Sequence, residues 1–137
     1  VPDGGLTGVV SKCGIANIET SYVAREDVGV GMAIGAALAG ERWAVFLKNA
    51  GLGSCLDGSL SVARVCELPI LLLIGNAGTG RDDLAHHVVT GEVTGPILNA
   101  IAATSLTVDS GTTVSDVAAF VHDAFTFGDV AAILVEP

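Results

Sequence analysis

The sequence predicts an α/β fold, a three-layer sandwich in which a mainly parallel sheet carries helices on both faces. Stretches rich in apolar and β-branched residues at 18–24, 43–48, 69–75, 104–108 and 131–135 read as strands, and the most apolar of them lack the alternation of a sheet with one wet face. Helix-like patterns at 26–40, 54–66, 93–103 and 113–126 fall between consecutive strands, the order that builds parallel crossovers. Half of the residues are hydrophobic and only 4% are aromatic, so Ala, Val, Leu, Ile and Gly do the packing.

A short helix over 4–13 precedes the first strand. The helix at 26–40 opens on Glu26-Asp27, and its small residues Gly29, Ala33, Ala36 and Ala37 permit close packing. The strand at 43–48 runs into Lys48-Asn49-Ala50-Gly51-Leu52-Gly53-Ser54, a Gly-rich turn that opens the next helix. Backbone N–H groups there suit an anion, and a tight turn capped by Ser54 accounts for the same residues. The turn has neither the Walker ending nor GxGxxG. After the strand at 69–75 comes the longest irregular stretch, 76–91, with Gly78, Gly80, Arg81, Asp82, Asp83 and the pair His86-His87. Long loops at the carboxyl ends of parallel strands are where such folds bind ligands. No repeat, low-complexity tract or linker divides the chain, so 1–137 reads as one domain.

Composition removes several classes of function. A net charge of −9 with six scattered Lys and Arg residues leaves no basic patch for a nucleic acid. The apolar runs 28–40 and 68–75 are shorter than the roughly 20 residues a membrane helix needs, and no signal peptide is visible. Cys13, Cys55 and Cys66 have no CxxC spacing; their odd count fits buried thiols in a reducing compartment, hence a cytoplasmic protein. The chain opens on Val1-Pro2-Asp3 rather than Met, which leaves room for residues upstream. A charged fraction of only 15% suits a surface covered by a partner. No Gly-x-Ser-x-Gly elbow is present to support a serine hydrolase.

Two features carry candidate chemistry. Glu26 sits where a strand ends and a very apolar helix begins. It either complements the helix dipole, stabilising the helix by roughly 0.3–1 kcal/mol, or is a partly buried carboxyl with a raised pKa that shares a proton with a ligand. His86-His87 suits proton transfer near neutral pH. No Cys or carboxylate spacing completes a zinc motif around the pair, so no metal ligand is assigned, and the pair is equally readable as ordinary loop histidines. His122 falls on a polar helix face.

In order along the chain stand Val1-Pro2-Asp3, Arg25-Glu26-Asp27-Val28-Gly29-Val30-Gly31-Met32-Ala33-Ile34-Gly35-Ala36, Asn49-Ala50-Gly51-Leu52-Gly53, Leu68-Pro69-Ile70-Leu71-Leu72-Leu73-Ile74, and His87 with Gly91. Taken together they resemble the pyrimidine-binding domain of thiamine diphosphate-dependent decarboxylases, with sulfopyruvate decarboxylase α subunits and phosphonopyruvate decarboxylases the nearest likeness. The resemblance implies that Glu26 bonds N1′ of the cofactor's aminopyrimidine and favours its imino tautomer, so that a 2-oxo acid loses CO2 and leaves as an aldehyde. It also implies that Asn49, Gly51, Leu52 and Gly53 line the cofactor or substrate, and that His86 and His87 relay protons.

The chain departs from the resemblance in two places. Acid-substrate decarboxylases carry a Trp-Arg-Gly type sequence after the third strand, where this chain reads Gly75-Asn76-Ala77-Gly78-Thr79-Gly80-Arg81; the loss of that Arg position counts against a sulfonate or phosphonate substrate, unless Arg81, a few residues further on, takes its place. The Gly-Asp-Gly…Asn motif that holds Mg2+ and the diphosphate is absent, Gly128-Asp129-Val130 lying too near the end to serve. The resemblance therefore implies a diphosphate-binding partner chain, in a hetero-oligomer, or the remainder of a longer polypeptide. Other readings of the resemblance are a carboligase subunit, and a non-catalytic structural or regulatory subunit of the same fold. A flavodoxin-like nucleotide binder is a further alternative.

Overall fold

The computed structural model describes residues 6–80 and 82–137. The expectations placed on Val1-Pro2-Asp3, on Gly4 and on Arg81 lie outside the described residues.

Four strands, β1 (Ala44–Lys48), β2 (Ile70–Gly75), β3 (Thr104–Val108) and β4 (Val130–Val135), form one parallel sheet in the order β1-β2-β4-β3. The helices are α1 (Thr7–Ile15), α2 (Glu26–Leu38), α3 (Leu56–Gly58), α4 (Ala85–Ala100) and α5 (Val114–Phe127). This is the predicted α/β architecture, with helical layers on the two faces of the sheet.

Strand side chains alternate between two cores. Leu47, Leu72, Ile74 and Ala132 meet Val30, Ala33 and Ile34 of α2 and Leu98 of α4 on one face. Leu71, Ala131 and Ile133 meet Ala124 of α5 on the other, with Phe120, Val121 and Phe125 packed around them. Both faces of β2 and β4 are thus dry, which is why their sequences are apolar without alternation. The fully buried Leu47, Leu72 and Ile74 contribute about 1.5–3 kcal/mol each through the hydrophobic effect.

The structure corrects several expected boundaries. No strand forms over 18–24. That stretch is irregular and largely exposed, facing residues 41–46 across a cleft of about 480 Å³. A strand needs a ladder partner, and β1 on the far side of the cleft remains a sheet edge. The helix expected at 54–66 begins five residues earlier as a 3-10 turn, Asn49–Cys55, passes through α3 and ends as a π-helical stretch, Ser59–Arg64. The helix expected at 93–103 starts at Ala85, so His86 and His87 belong to the first turn of α4 and the loop ends at Leu84. Its N-cap is Leu84, with no side-chain cap, and so it lacks the Ser, Thr, Asp or Asn that marks a start in sequence. By contrast α5 begins one residue after its expected start, on a capping box between Thr113 and Asp116. Of the three thiols only Cys55 is buried; Cys66 is exposed and Cys13 intermediate. Among the described residues no helix is long and apolar enough to cross a membrane.

Candidate active site at the carboxyl ends of β1 and β2

Lys48 and Gly75 are paired in the sheet register and end β1 and β2. The residues after them, Asn49 and Asn76, are both buried. Asn49 Nδ2 donates to the Ala77 carbonyl at 2.8 Å and also lies 3.0 Å from Thr94 Oγ1 and 3.3 Å from Asn76 Oδ1. Because the Ala77 carbonyl only accepts, the orientation of the Asn49 amide is fixed. One side chain thereby ties the end of β1 to the loop after β2 and to α4. Among the described residues its Oδ1 is buried without a hydrogen-bond partner.

Glu26 approaches the same turn from α2. Arg25 and Asp27 beside it form a forked pair, Nε to Oδ1 at 3.0 Å and Nη2 to Oδ2 at 2.7 Å. Asp27 Oδ1 also accepts from the Val28 N–H at 2.9 Å. The Arg25 guanidinium holds the Asp27 carboxyl below the usual carboxylate range. Asp27 therefore serves the helix start, while Glu26 turns inward, half-buried, and makes no hydrogen bond or ion pair among the described residues. It lies directly on Gly51: a Cβ there would collide with Glu26 Cγ and would stand 2.8 Å from Oε1. Glycine at 51 is what lets the carboxylate reach the turn. Burial pushes the Cys55 thiol up, and the charge of Glu26 adds to that.

The second cluster joins β1 to α4. Lys48 Nζ is 2.7 Å from His87 Nε2, and His87 Nδ1 is 2.7 Å from Asp82 Oδ2. The Gly78 N–H donates to Asp82 Oδ2 at 3.0 Å. That N–H is the main cause holding the Asp82 carboxyl below its ordinary range, and the His87 ring adds to it. Both partners of the His87–Asp82 pair are largely buried, their side chains 18% and 15% exposed. The loop is pressed onto α4: Gly78 has a positive φ of 79°, and a Cβ there would collide with the His87 carbonyl. A Cβ at Gly91 would stand 2.7 Å from the Gly78 carbonyl. This contact gives the His87 and Gly91 spacing a packing reason, one helical turn along one face.

The expected site residues separate accordingly. Glu26, Asn49 and Gly51 converge on the turn after β1. His87 is in the network with Lys48 and Asp82. His86 is exposed, touches His87 ring to ring at 4.3 Å between centroids, and makes no side-chain hydrogen bond among the described residues. The Leu52 side chain lies in the core, 1% exposed, and Gly53 is exposed with open space around it. Lys48, Asp82, Asn76 and Thr94 were not singled out from the sequence. The available signal was position: Lys48 and Asn76 flank strand ends, and Asp82 precedes His87 by five residues, which a helix start brings together. Among the described residues no group of His, Cys, Asp and Glu could hold a metal ion.

No family model matches the chain. The chain is similar to three proteins named sulfopyruvate decarboxylase subunit alpha. That of Methanococcus maripaludis is 30% identical over 85 residues, 62% of this chain and 51% of that protein. That of Methanothermobacter thermautotrophicus is 33% identical over 79 residues, 58% and 48%. That of Methanocaldococcus jannaschii is 28% identical over 75 residues, 55% and 44%. The chain spans about half the length of the curated relatives it matches.

Proposed function

We propose that the chain is the pyrimidine-binding subunit of a thiamine diphosphate-dependent 2-oxo acid decarboxylase, active with a partner chain that holds the diphosphate and Mg2+. The likeness to decarboxylase α subunits favours this reading. The single observation that carries it at the level of chemistry is Glu26, a half-buried carboxylate with no protein partner among the described residues, laid against a glycine. A carboxylate only accepts hydrogen bonds, and a ring nitrogen that donates to it would supply the partner that this chain leaves open.

The residues fit the group. Glu26 would meet N1′ of the aminopyrimidine, with the Gly51 turn beside it. The absence of a side chain at Gly51 keeps that approach open, and Asn49 fixes the turn through its bonds to Ala77 and Thr94. Bound there, the cofactor supplies the electron sink for decarboxylation. The work of this chain is to hold the ring, exchange a proton at Glu26 and keep water from the carboxylate. The sequence carries no Gly-Asp-Gly…Asn motif, and in this reading the partner chain supplies it.

The test is CO2 release from a panel of 2-oxo acids by this chain mixed with such a partner. Glu26→Gln is expected to lower turnover by about 10²–10⁴-fold with assembly unchanged, the usual scale for one acid–base group. Unchanged turnover would remove Glu26 from the reaction.

A further inference from the structure

We propose that Lys48 is an oxyanion-binding residue of this site, held in place by His87 and Asp82 as positioning residues. A lysine ammonium has three donors and no acceptor. The 2.7 Å contact with Lys48 Nζ therefore requires His87 Nε2 to offer its lone pair. The ring proton then sits on Nδ1 and is donated to Asp82 Oδ2 at 2.7 Å. The tautomer of His87 is set by its two neighbours, and Asp82 is itself anchored by the Gly78 N–H.

Both nitrogens of His87 are engaged in this arrangement, so the histidine has no free position for a ligand. The uncommitted polar hydrogens of the trio are those left on Lys48 Nζ. Among the described residues Lys48 has no other side-chain hydrogen bond and no carboxylate within ion-pair distance. It is half-buried, in a chain with a net charge of −9, where a cation without a counter-ion stands out. A partly desolvated ammonium without an anion carries a standing cost that an anionic ligand relieves.

Lys48 directly precedes Asn49 and so opens the turn on which Glu26 rests. The ligand class is an oxyanion: a carboxylate, sulfonate or phosphonate. Its identification with an anionic group of a 2-oxo acid rests on the proposed function; the existence of the site does not.

The first test needs neither cofactor nor partner. Methanesulfonate and methylphosphonate are titrated into the 15N-labelled chain while the His87 ring nitrogens and the Lys48 Nζ are followed by NMR. The expected result is an Nδ1–H tautomer in the free chain, saturable shifts at Lys48 Nζ and His87 Nε2, and binding weakened about tenfold or more in Lys48→Met. Lys48→Arg is expected to retain binding. Asp82→Asn is expected to weaken it while disturbing the tautomer, a change that a purely structural role for Asp82 would not produce. Circular dichroism of each variant separates lost binding from lost folding. No saturable shift in the folded wild-type chain, or equal binding by folded Lys48→Met, overturns the proposal.

In the mixture with a diphosphate-binding partner, KM values for 2-oxo acids with and without a distal anionic group distinguish the two sources of the oxyanion. In Lys48→Met a rise confined to the dianionic substrates assigns Lys48 to the distal group, and an equal rise for both assigns it to the shared carboxylate. Failure of turnover with the NMR result intact would count against the decarboxylase reading alone.

Discussion

Glu26 rests on Gly51 so closely that a Cβ at position 51 would stand 2.8 Å from Oε1 and nearer still to the methylene stem. A carboxylate from the first turn of α2 thus touches the backbone of the turn after β1, and the side chain missing at 51 is the condition for it.

Gly51→Ala should therefore act on both the fold and the site. The added methyl must displace Glu26 or the turn, and overpacking of this kind costs about 1–3 kcal/mol. Chemical denaturation is expected to show a lower midpoint. Binding of thiamine diphosphate in the presence of the partner chain is expected to weaken together with it. An unchanged midpoint would mean that Glu26 swings away freely.

Asn49 holds the strand ends to α4. Asn49→Ala removes the donor shared by Ala77 and Thr94 and strands a buried carbonyl, at a cost of about 1–3 kcal/mol. Urea unfolding measures it, and a loss under about 0.5 kcal/mol would indicate that water replaces the amide.

Acid should weaken the fold through carboxylates bonded in the native state. Asp82 has its folded pKa depressed below the ordinary 3.8, by the Gly78 N–H first and by His87 as well. Its contribution is fully present above 3.8 and is lost as pH falls through the depressed folded value. Asp109 and Asp116 are shifted in the same direction by their bonds to Gly111 and Thr112 and to Thr113. Melting temperature is therefore expected to drop below about pH 4, and Asp82→Asn is expected to show a shallower drop than the wild-type chain. An identical acid profile in both would show that Asp82 is not bonded in solution.

Thr113→Ala removes one half of the capping box of α5. A loss of about 0.5–2 kcal/mol is expected, read from the unfolding midpoint, with no effect on the site because α5 packs on the opposite face of the sheet. A change in anion or cofactor binding would contradict that separation.

β2 and β4 were legible because both of their faces are dry and their residues are apolar in runs, whereas the exposed edge strand β3 was legible from its β-branched Thr and Val residues. Glu26 was legible as a carboxyl in apolar company, and Asn49 and Gly51 as a turn between strand and helix. The strand at 18–24 was misread because residues of high strand propensity, Ile18, Thr20, Tyr22 and Val23, say nothing about whether a ladder partner exists; among the described residues the edge of β1 is unpaired. The start of α4 was hidden by its uncapped Leu84, so His86 and His87 looked like loop residues although they stand in the first turn of a helix. The 3-10 and π-helical turns of 49–64 leave no 3.6-residue period to read. The Lys48–His87–Asp82 chain joins residues 39 positions apart, and only the fold brings them into contact.

The most direct test of the central claim is calorimetric titration of thiamine diphosphate with Mg2+ into the chain mixed with a partner carrying Gly-Asp-Gly…Asn, for the wild-type chain and for Glu26→Gln. Saturable binding in the wild-type mixture, weak or absent in either chain alone and reduced by Glu26→Gln, is the expected result. Absence of binding in the wild-type mixture, or equal affinity with Glu26→Gln, would contradict a pyrimidine half-site built on Glu26.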